Sequence, residues 1–122
     1  MRDTVQLFKA LADETRLKML ALLIKHDELC VCDFEGGLGI SQSRASRHLR
    51  TLYSAGLIED RREAVWVYYR LSRKQDSARK AVMKSVEKLL ENGPGTLPRN
   101  IRDTMAQFDQ WLKNNSCQRA GE

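Results

Sequence analysis

"SQSRASRHLRTLYSAG", residues 41–56, is the stretch whose reading decides the fold. It is the clearest helix in the chain. Ser41 can cap its start and Gly56 can stop it. Ala45, Leu49 and Leu52 fall at i, i+4 and i+7, so they share the face that turns to a core. Ser43, Arg47 and Arg50 lie on the opposite face, flanked by Arg44 and Ser46, with Gln42 in the first turn. His48 lies nearer the core edge than Arg47 does. Taken alone, this pattern also suits a solvated surface helix. Its neighbours decide what it is.

Upstream stand "GGLG", residues 36–39, a turn signal, and before it the short segment "ELCVCDF", residues 28–34, which reads as helix. The glycines do not form a phosphate-binding loop: the spacing is wrong and no strand precedes them. Further upstream, Asp13 is a plausible N-cap for a helix striped by Leu17, Leu20, Leu23 and Ile24. Val5, Phe8, Leu11 and Ala12 mark a helix before it. Downstream, residues 57–62 and 65–71 are rich in β-branched and aromatic side chains and read as a strand pair turning at residues 62–64. Val82, Met83, Val86, Leu89 and Leu90 mark one more helix; Leu97, Ile101, Met105, Phe108 and Leu112 mark another after the "GPG" break at residues 93–95. The last residues, "NNSCQRAGE", read as a frayed tail.

Short helix, glycine turn and long polar-faced helix make a helix-turn-helix, and a basic ribbon straight after it makes the winged version. The expected fold is mainly α with a two-stranded β-wing. Residues 1–122 form one domain, with a recognition helix over 41–55, a wing over 57–71 and C-terminal helices over 76–92 and 97–114. A core of about 60 residues would leave the first and last helices with uncovered apolar faces. A symmetric homodimer, in which those helices meet their copies, is the economical solution.

Length and composition narrow the class. The 122 residues are 42% hydrophobic and 30% charged, as in a soluble globular protein. The longest apolar run, residues 19–24, is far too short for a bilayer, and no signal pattern opens the chain. A cytoplasmic location is expected, where cysteines stay reduced; three is also an odd number for a disulfide framework. Net charge is +5 and uneven. Residues 41–74 hold eight basic and three acidic groups, whereas Asp27, Glu28, Asp33 and Glu35 crowd the cysteine segment. On charge alone the basic module suits a solvated face or a polyanionic partner; the helix-turn-helix order makes double-stranded DNA the expected partner. On the recognition helix, Gln42, Ser43, Ser46 and Arg47 suit base edges: Gln can read adenine, Arg guanine, and Ser either. Arg44 and Arg50 suit phosphates, and Arg61 and Arg62 the flanking backbone or minor groove from the wing. His48 suits a DNA contact or a bond to the protein's own backbone equally well.

Four stretches, "LADETRLKMLALL", "ELCVCDF", "ISQSRASRHLRTLYSAGLIEDRRE" and "WVYYRLS", resemble the ArsR (arsenical-resistance repressor) family of metal-sensing bacterial transcription regulators. The resemblance runs over residues 7–72. It implies a homodimeric winged helix-turn-helix repressor that sits on an operator overlapping a resistance promoter and leaves when its inducer binds. It also implies that "ELCVCD" is the thiolate inducer site of the arsenic-sensing branch, also used by cadmium and lead sensors. Two positions depart from the family pattern. Glu35 stands where some arsenic sensors carry a third cysteine. Glu63-Ala64-Val65 replaces a Glu-Gly-Arg type of wing tip, so the tip lacks the glycine and the base.

Cys30 and Cys32 carry the chemistry. Residues i and i+2 of a helix lie about 200° apart, so on a helix these thiols would diverge. An ion taking both would have to unwind the first helical turn, while DNA would prefer it intact; each ligand would then weaken the other. Thiolates suit As(III), Sb(III), Cd(II), Pb(II) or Zn(II). As(III) takes three thiolates in a pyramid, and the third is Cys117 or an external thiol such as glutathione. Zinc is less favoured, because His26 and His48 lack ligand spacing to the pair. The nearby carboxylates help neutralise a dication and keep cadmium and lead open; they also tend to raise the thiol pKa. No organic cofactor is called for. A bland role as small packing residues is the alternative to a ligand role. The function expected is an arsenite- or antimonite-released repressor, with a cadmium or lead sensor, or a thiol redox or persulfide sensor of the same fold, as alternatives. An oxidoreductase is excluded, since there is no Cys-x-x-Cys and no strand-helix alternation around the pair.

Overall fold

Two polar caps start the helices on which the fold turns. The Asp13 carboxylate accepts the Arg16 backbone N–H at 3.0 Å and opens α2, Glu14–Lys25. The Ser41 hydroxyl accepts the Arg44 N–H at 3.2 Å and opens α4, Gln42–Ser54. The chain leaves α4 through Gly56, whose φ of +77° is a left-handed conformation that glycine adopts without strain. Both caps and the glycine stop agree with the sequence. So does the inner face of α4, where Ala45, Leu49 and Leu52 are fully buried.

The computed structural model describes residues 1–91 and 99–115. In chain order the elements are α1 (Arg2–Leu11), α2, β1 (Leu29–Cys30), α3 (Val31–Leu38), α4, β2 (Ile58–Glu63), β3 (Trp66–Leu71), α5 (Ser77–Glu91) and α6 (Arg99–Asn114). Helices α3 and α4 are the helix-turn-helix and β2–β3 is the wing. Helix α2 runs through the centre: Met19, Leu20, Ala21, Leu22 and Leu23 are all buried, more of its circumference than the expected stripe. No helix among the described residues is long and apolar enough to cross a membrane.

Three expectations change. The expected two-stranded wing is joined by β1, so among the described residues the sheet has three strands, in the order β1-β3-β2 and antiparallel throughout. Leu29 and Cys30 leave the expected helix to pair with Tyr69 and Tyr68. The hairpin turns at Ala64 and Val65, one residue later than expected, with Ala64 at φ +55°; the full register from Glu63 against Trp66 is kept by holding alanine in a region few non-glycine residues visit. Gly36 and Gly37 do not turn the chain but lie inside α3. A Cβ on Gly36 would overlap the Trp111 ring, and one on Gly37 the Phe108 ring. The turn itself is left to Gly39 at φ +66°. Helix α1 buries Leu7 and Ala10 and leaves Val5 and Phe8 exposed, the uncovered apolar face expected of the first helix.

The missing side chains at Gly36 and Gly37 let α6 lie directly on α3. Phe108 is fully buried against Phe34, with ring centroids 6.4 Å apart, and stacks beside Trp111 at 6.3 Å. The Asp109 carboxylate accepts from both Lys25 and, at 3.0 Å, the His26 ring. So α6 buries part of its apolar face in its own domain. The "GPG" break, Leu97 and Cys117 lie outside the described residues, as does the tail beyond Asn115.

Candidate functional site

Cys30 is the last residue of β1 and the N-cap of α3, with extended backbone at φ −89° and ψ 166°. Cys32 is the second residue of the helix. The strand-to-helix corner between them removes the helical angle that would separate their side chains. Their sulfurs converge, and in this structure they are joined as a disulfide with the Cα atoms 5.4 Å apart. The expected divergence, and the reduced pair, are therefore corrected. The physical reason is the extended conformation that pairing with β3 imposes on Cys30. Two soft donors thus meet without any unwinding of α3, and the unwinding mechanism falls with its premise.

Asp33 completes the corner. It is buried, and its carboxylate accepts the Cys30 N–H at 3.0 Å. Its oxygen and the two sulfurs all lie within 4.8 Å of one another. Once reduced, the pair offers two thiolates at one point, which fits a soft ion. Asp33 offers a hard oxygen donor, one of its two oxygens being held by the Cys30 N–H, and suits a borderline dication better than As(III). Cys30 is buried and Cys32 half-buried. Beside them opens a depression of about 250 Å³, lined by Glu35, by Gln42 of the recognition helix and by Val65, Trp66 and Val67 of the wing. The cysteine corner therefore faces the cleft between recognition helix and wing. The Cys-x-x-Asp spacing was the signal for Asp33's role, being the spacing of a capping box.

The outer face of α4 is as the periodicity describes. Gln42, Ser43, Arg44, Arg47 and Arg50 are exposed and Ser46 is half-buried. His48 is different. Its Nδ1 lies 3.1 Å from the Arg16 guanidinium and 3.9 Å from Asp13. Arg16 in turn donates to the backbone carbonyls of Ala10 at 2.8 Å and Lys9 at 3.0 Å. His48 therefore ties the recognition helix to the corner between α1 and α2. Burial pushes its pKa down; Asp13 opposes this, and Arg16, Arg44 and Arg47 reinforce it. Burial works against ionisation of Asp13, but the Arg16 N–H and guanidinium outweigh it and hold that carboxyl below its ordinary value.

On the wing, Arg62 is exposed, but Arg61 is turned along the sheet. It donates to both Glu28 oxygens, at 2.6 and 3.1 Å, and to Glu63 at 2.7 Å. Its guanidinium sits 4.7 Å over the Tyr68 ring. Arg70 donates to Glu59 at 2.7 Å and lies 3.8 Å from Glu28. Sequence reading missed these partnerships, because they follow from a register that only the folded sheet fixes.

Residues 13–60 match the protein family described as "Bacterial regulatory protein, arsR family". The chain is 54% identical over 68 residues to the arsenical resistance operon repressor of Escherichia coli K12, covering 56% of this chain and 58% of that protein. It is 44% identical over 69 residues to a cadmium resistance transcriptional regulatory protein CadC homolog of Staphylococcus aureus, covering 57% of each. The homodimeric winged helix-turn-helix DNA-binding domain of a possible ArsR-family transcriptional regulator from Mycobacterium bovis, a solved structure, superposes with a TM-score of 0.60 at 30% identity, covering 76% of this chain and 86% of that one. The chain spans a little over half the length of the two curated relatives.

Proposed function

Because the chain belongs to the arsR family of bacterial regulatory proteins, we propose that it is a homodimeric transcriptional repressor released from operator DNA when arsenite or antimonite binds Cys30 and Cys32. The family is one of regulators, not enzymes. The observation that carries the reading is the convergence of two cysteine sulfurs at a strand-helix corner that opens beside Gln42 and the wing. The third thiolate that arsenite takes is Cys117, which follows α6 in sequence, or an external thiol such as glutathione. On the DNA side, Gln42, Ser43, Ser46 and Arg47 read bases, while Arg44, Arg50 and Arg62 meet phosphates. His48 holds the recognition helix in place.

The test titrates arsenite, antimonite, cadmium, lead and zinc into the reduced protein bound to a duplex that the protein itself has selected from random-sequence DNA. Thiolate absorption and release are followed together. Arsenite or antimonite should release wild type, and Cys30→Ser and Cys32→Ser should stay bound. If no ion weakens DNA binding, the sensor reading is lost. If Cys117→Ser behaves as wild type, Cys117 is not a ligand. Release by cadmium or lead alone would favour the dication reading, which the nearby Asp33 oxygen supports.

The disulfide favours a second reading, a repressor that responds to thiol oxidation. Two thiols would give up two electrons and two protons to a peroxide, forming the S–S bond and water. Arsenite release with an unchanged thiol count excludes it; release by peroxide alone establishes it.

A further inference from the structure

One cross-strand row joins the cysteine corner to the wing. Cys30 pairs with Tyr68, and Tyr68 pairs with Arg61 on its other side. Register partners in an antiparallel sheet point to the same face, and so do residues two apart along a strand. That face therefore carries Cys30, Tyr68 and Arg61 in line, with Arg70, Glu59 and Glu63 as neighbours. Glu28 stands two residues before Cys30 and reaches Arg61 with both oxygens, at 2.6 and 3.1 Å. Such a two-pronged pair fixes direction as well as distance. Arg61 is also pinned from below by the buried Tyr68 ring and from the side by Glu63. A phosphate contact would need that guanidinium to leave three partners.

We propose that the Glu28–Arg61 pair carries the state of the cysteine pair to the wing, and that Arg61 is a positioning residue for the wing and not a phosphate contact. This rests on the reading that Cys30 and Cys32 take the ion. Cys30 is at once an ion ligand and the end of β1. An ion that takes its sulfur acts on β1 and on Glu28, which immediately precedes that strand, and Glu28 holds the wing. The wing and the first turn of the recognition helix face the same cleft, so a shift of one against the other alters the DNA-binding surface. The path runs through the sheet. By linkage, whatever the ion does to DNA affinity, DNA does equally to ion affinity, and the pair sets the size of that factor.

The experiment measures, in full-length reduced protein, affinity for the self-selected duplex with and without arsenite, and the ratio of the two. It also measures arsenite affinity without DNA and the salt slope of DNA binding. Glu28→Gln, Arg61→Gln and the double variant are compared with wild type after thermal unfolding confirms that each is folded. Each single change should shrink the ratio by about fivefold or more. The double change should shrink it no further than the larger single change. Arsenite affinity of the free protein and the salt slope should be those of wild type. A fall of about one in the slope for Arg61→Gln marks a phosphate contact and overturns the proposal. An unchanged ratio for Glu28→Gln overturns it too. If arsenite fails to release wild type itself, the inducer reading has failed first, a result distinct from loss of the ratio in the variants alone.

Discussion

His48 shows how a residue on the basic helix α4 can face inward. Its Nδ1 accepts from a guanidinium 3.1 Å away, which requires the neutral ring with its proton on Nε2. Protonation would put a second cation beside Arg16. Burial and that neighbour lower the folded pKa below the ordinary 6.5, with Asp13 pulling the other way. The sign follows from linkage. As pH falls, the unfolded chain binds this proton first, so stability tied to His48 is complete above about pH 6.5 and declines from there towards the folded pKa. His48→Gln should flatten the stability profile in that window, read as urea midpoints from pH 7.5 down to 5. The steeper acid loss near the carboxylate range should persist. It belongs to groups such as Asp13 and Asp109, whose carboxyls are held low against the cost of burial, the first by Arg16 and the second by Lys25 and His26. An unchanged slope in the variant would show that His48 does not titrate with folding.

At the scale of elements, α3 is the piece most dependent on its surroundings. It has eight residues and two are glycine, each costing roughly 0.5–1 kcal/mol against alanine in a helix interior. An isolated helix of this length would not persist in water. It persists because Phe108 and Trp111 of α6 occupy the space the side chains would fill. Gly37→Ala should therefore destabilise despite better helix propensity, by roughly 1–3 kcal/mol from overpacking less about 1 for propensity. A lower denaturant midpoint at unchanged slope would show it; a raised midpoint would mean that Phe108 moves aside freely. The same contact explains what the sequence could and could not tell. Helices α2 and α4 were legible because caps, stops and apolar period are local: Asp13, Ser41, Gly56 and the Ala45, Leu49, Leu52 face all sit where pattern puts them. The glycines of α3 read as a turn because their reason lies on a helix far along the chain. Likewise Cys30 read as helical because its strand partner, Tyr68, is remote. The two cysteines were legible as a close pair; their convergence was not, and the buried Asp33 beside them showed only as a capping-box spacing.

For the whole molecule the open matter is what covers α1. Leu7 and Ala10 face inward, yet Val5 is 44% and Phe8 56% exposed, and Thr4, Val5, Phe8, Lys9 and Ala12 line one apolar surface depression. On α5, Leu89 is 63% exposed. Adjacent large apolar groups at helical spacing mark a surface made for a partner. A two-fold dimer places each of them in the interface twice. Fully burying a Phe side chain is worth roughly 1.5–3 kcal/mol. Phe8 is already partly covered, so each copy stands to gain about half of that, and the two copies together about 1.5–3 kcal/mol. Phe8→Ser should therefore weaken dimerisation by roughly 10- to 100-fold, at about tenfold per 1.4 kcal/mol. Sedimentation equilibrium measures this directly. DNA affinity should fall with it, because a monomer presents one recognition helix where a dimer presents two to a symmetric site. Val65→Ser is the control: Val65 is 88% exposed, but at the wing tip, and its loss should leave the monomer–dimer equilibrium alone. If Phe8→Ser sediments as wild type does, α1 is not the dimer face, and the exposed side of α5 becomes the surface to test by the same substitution at Leu89.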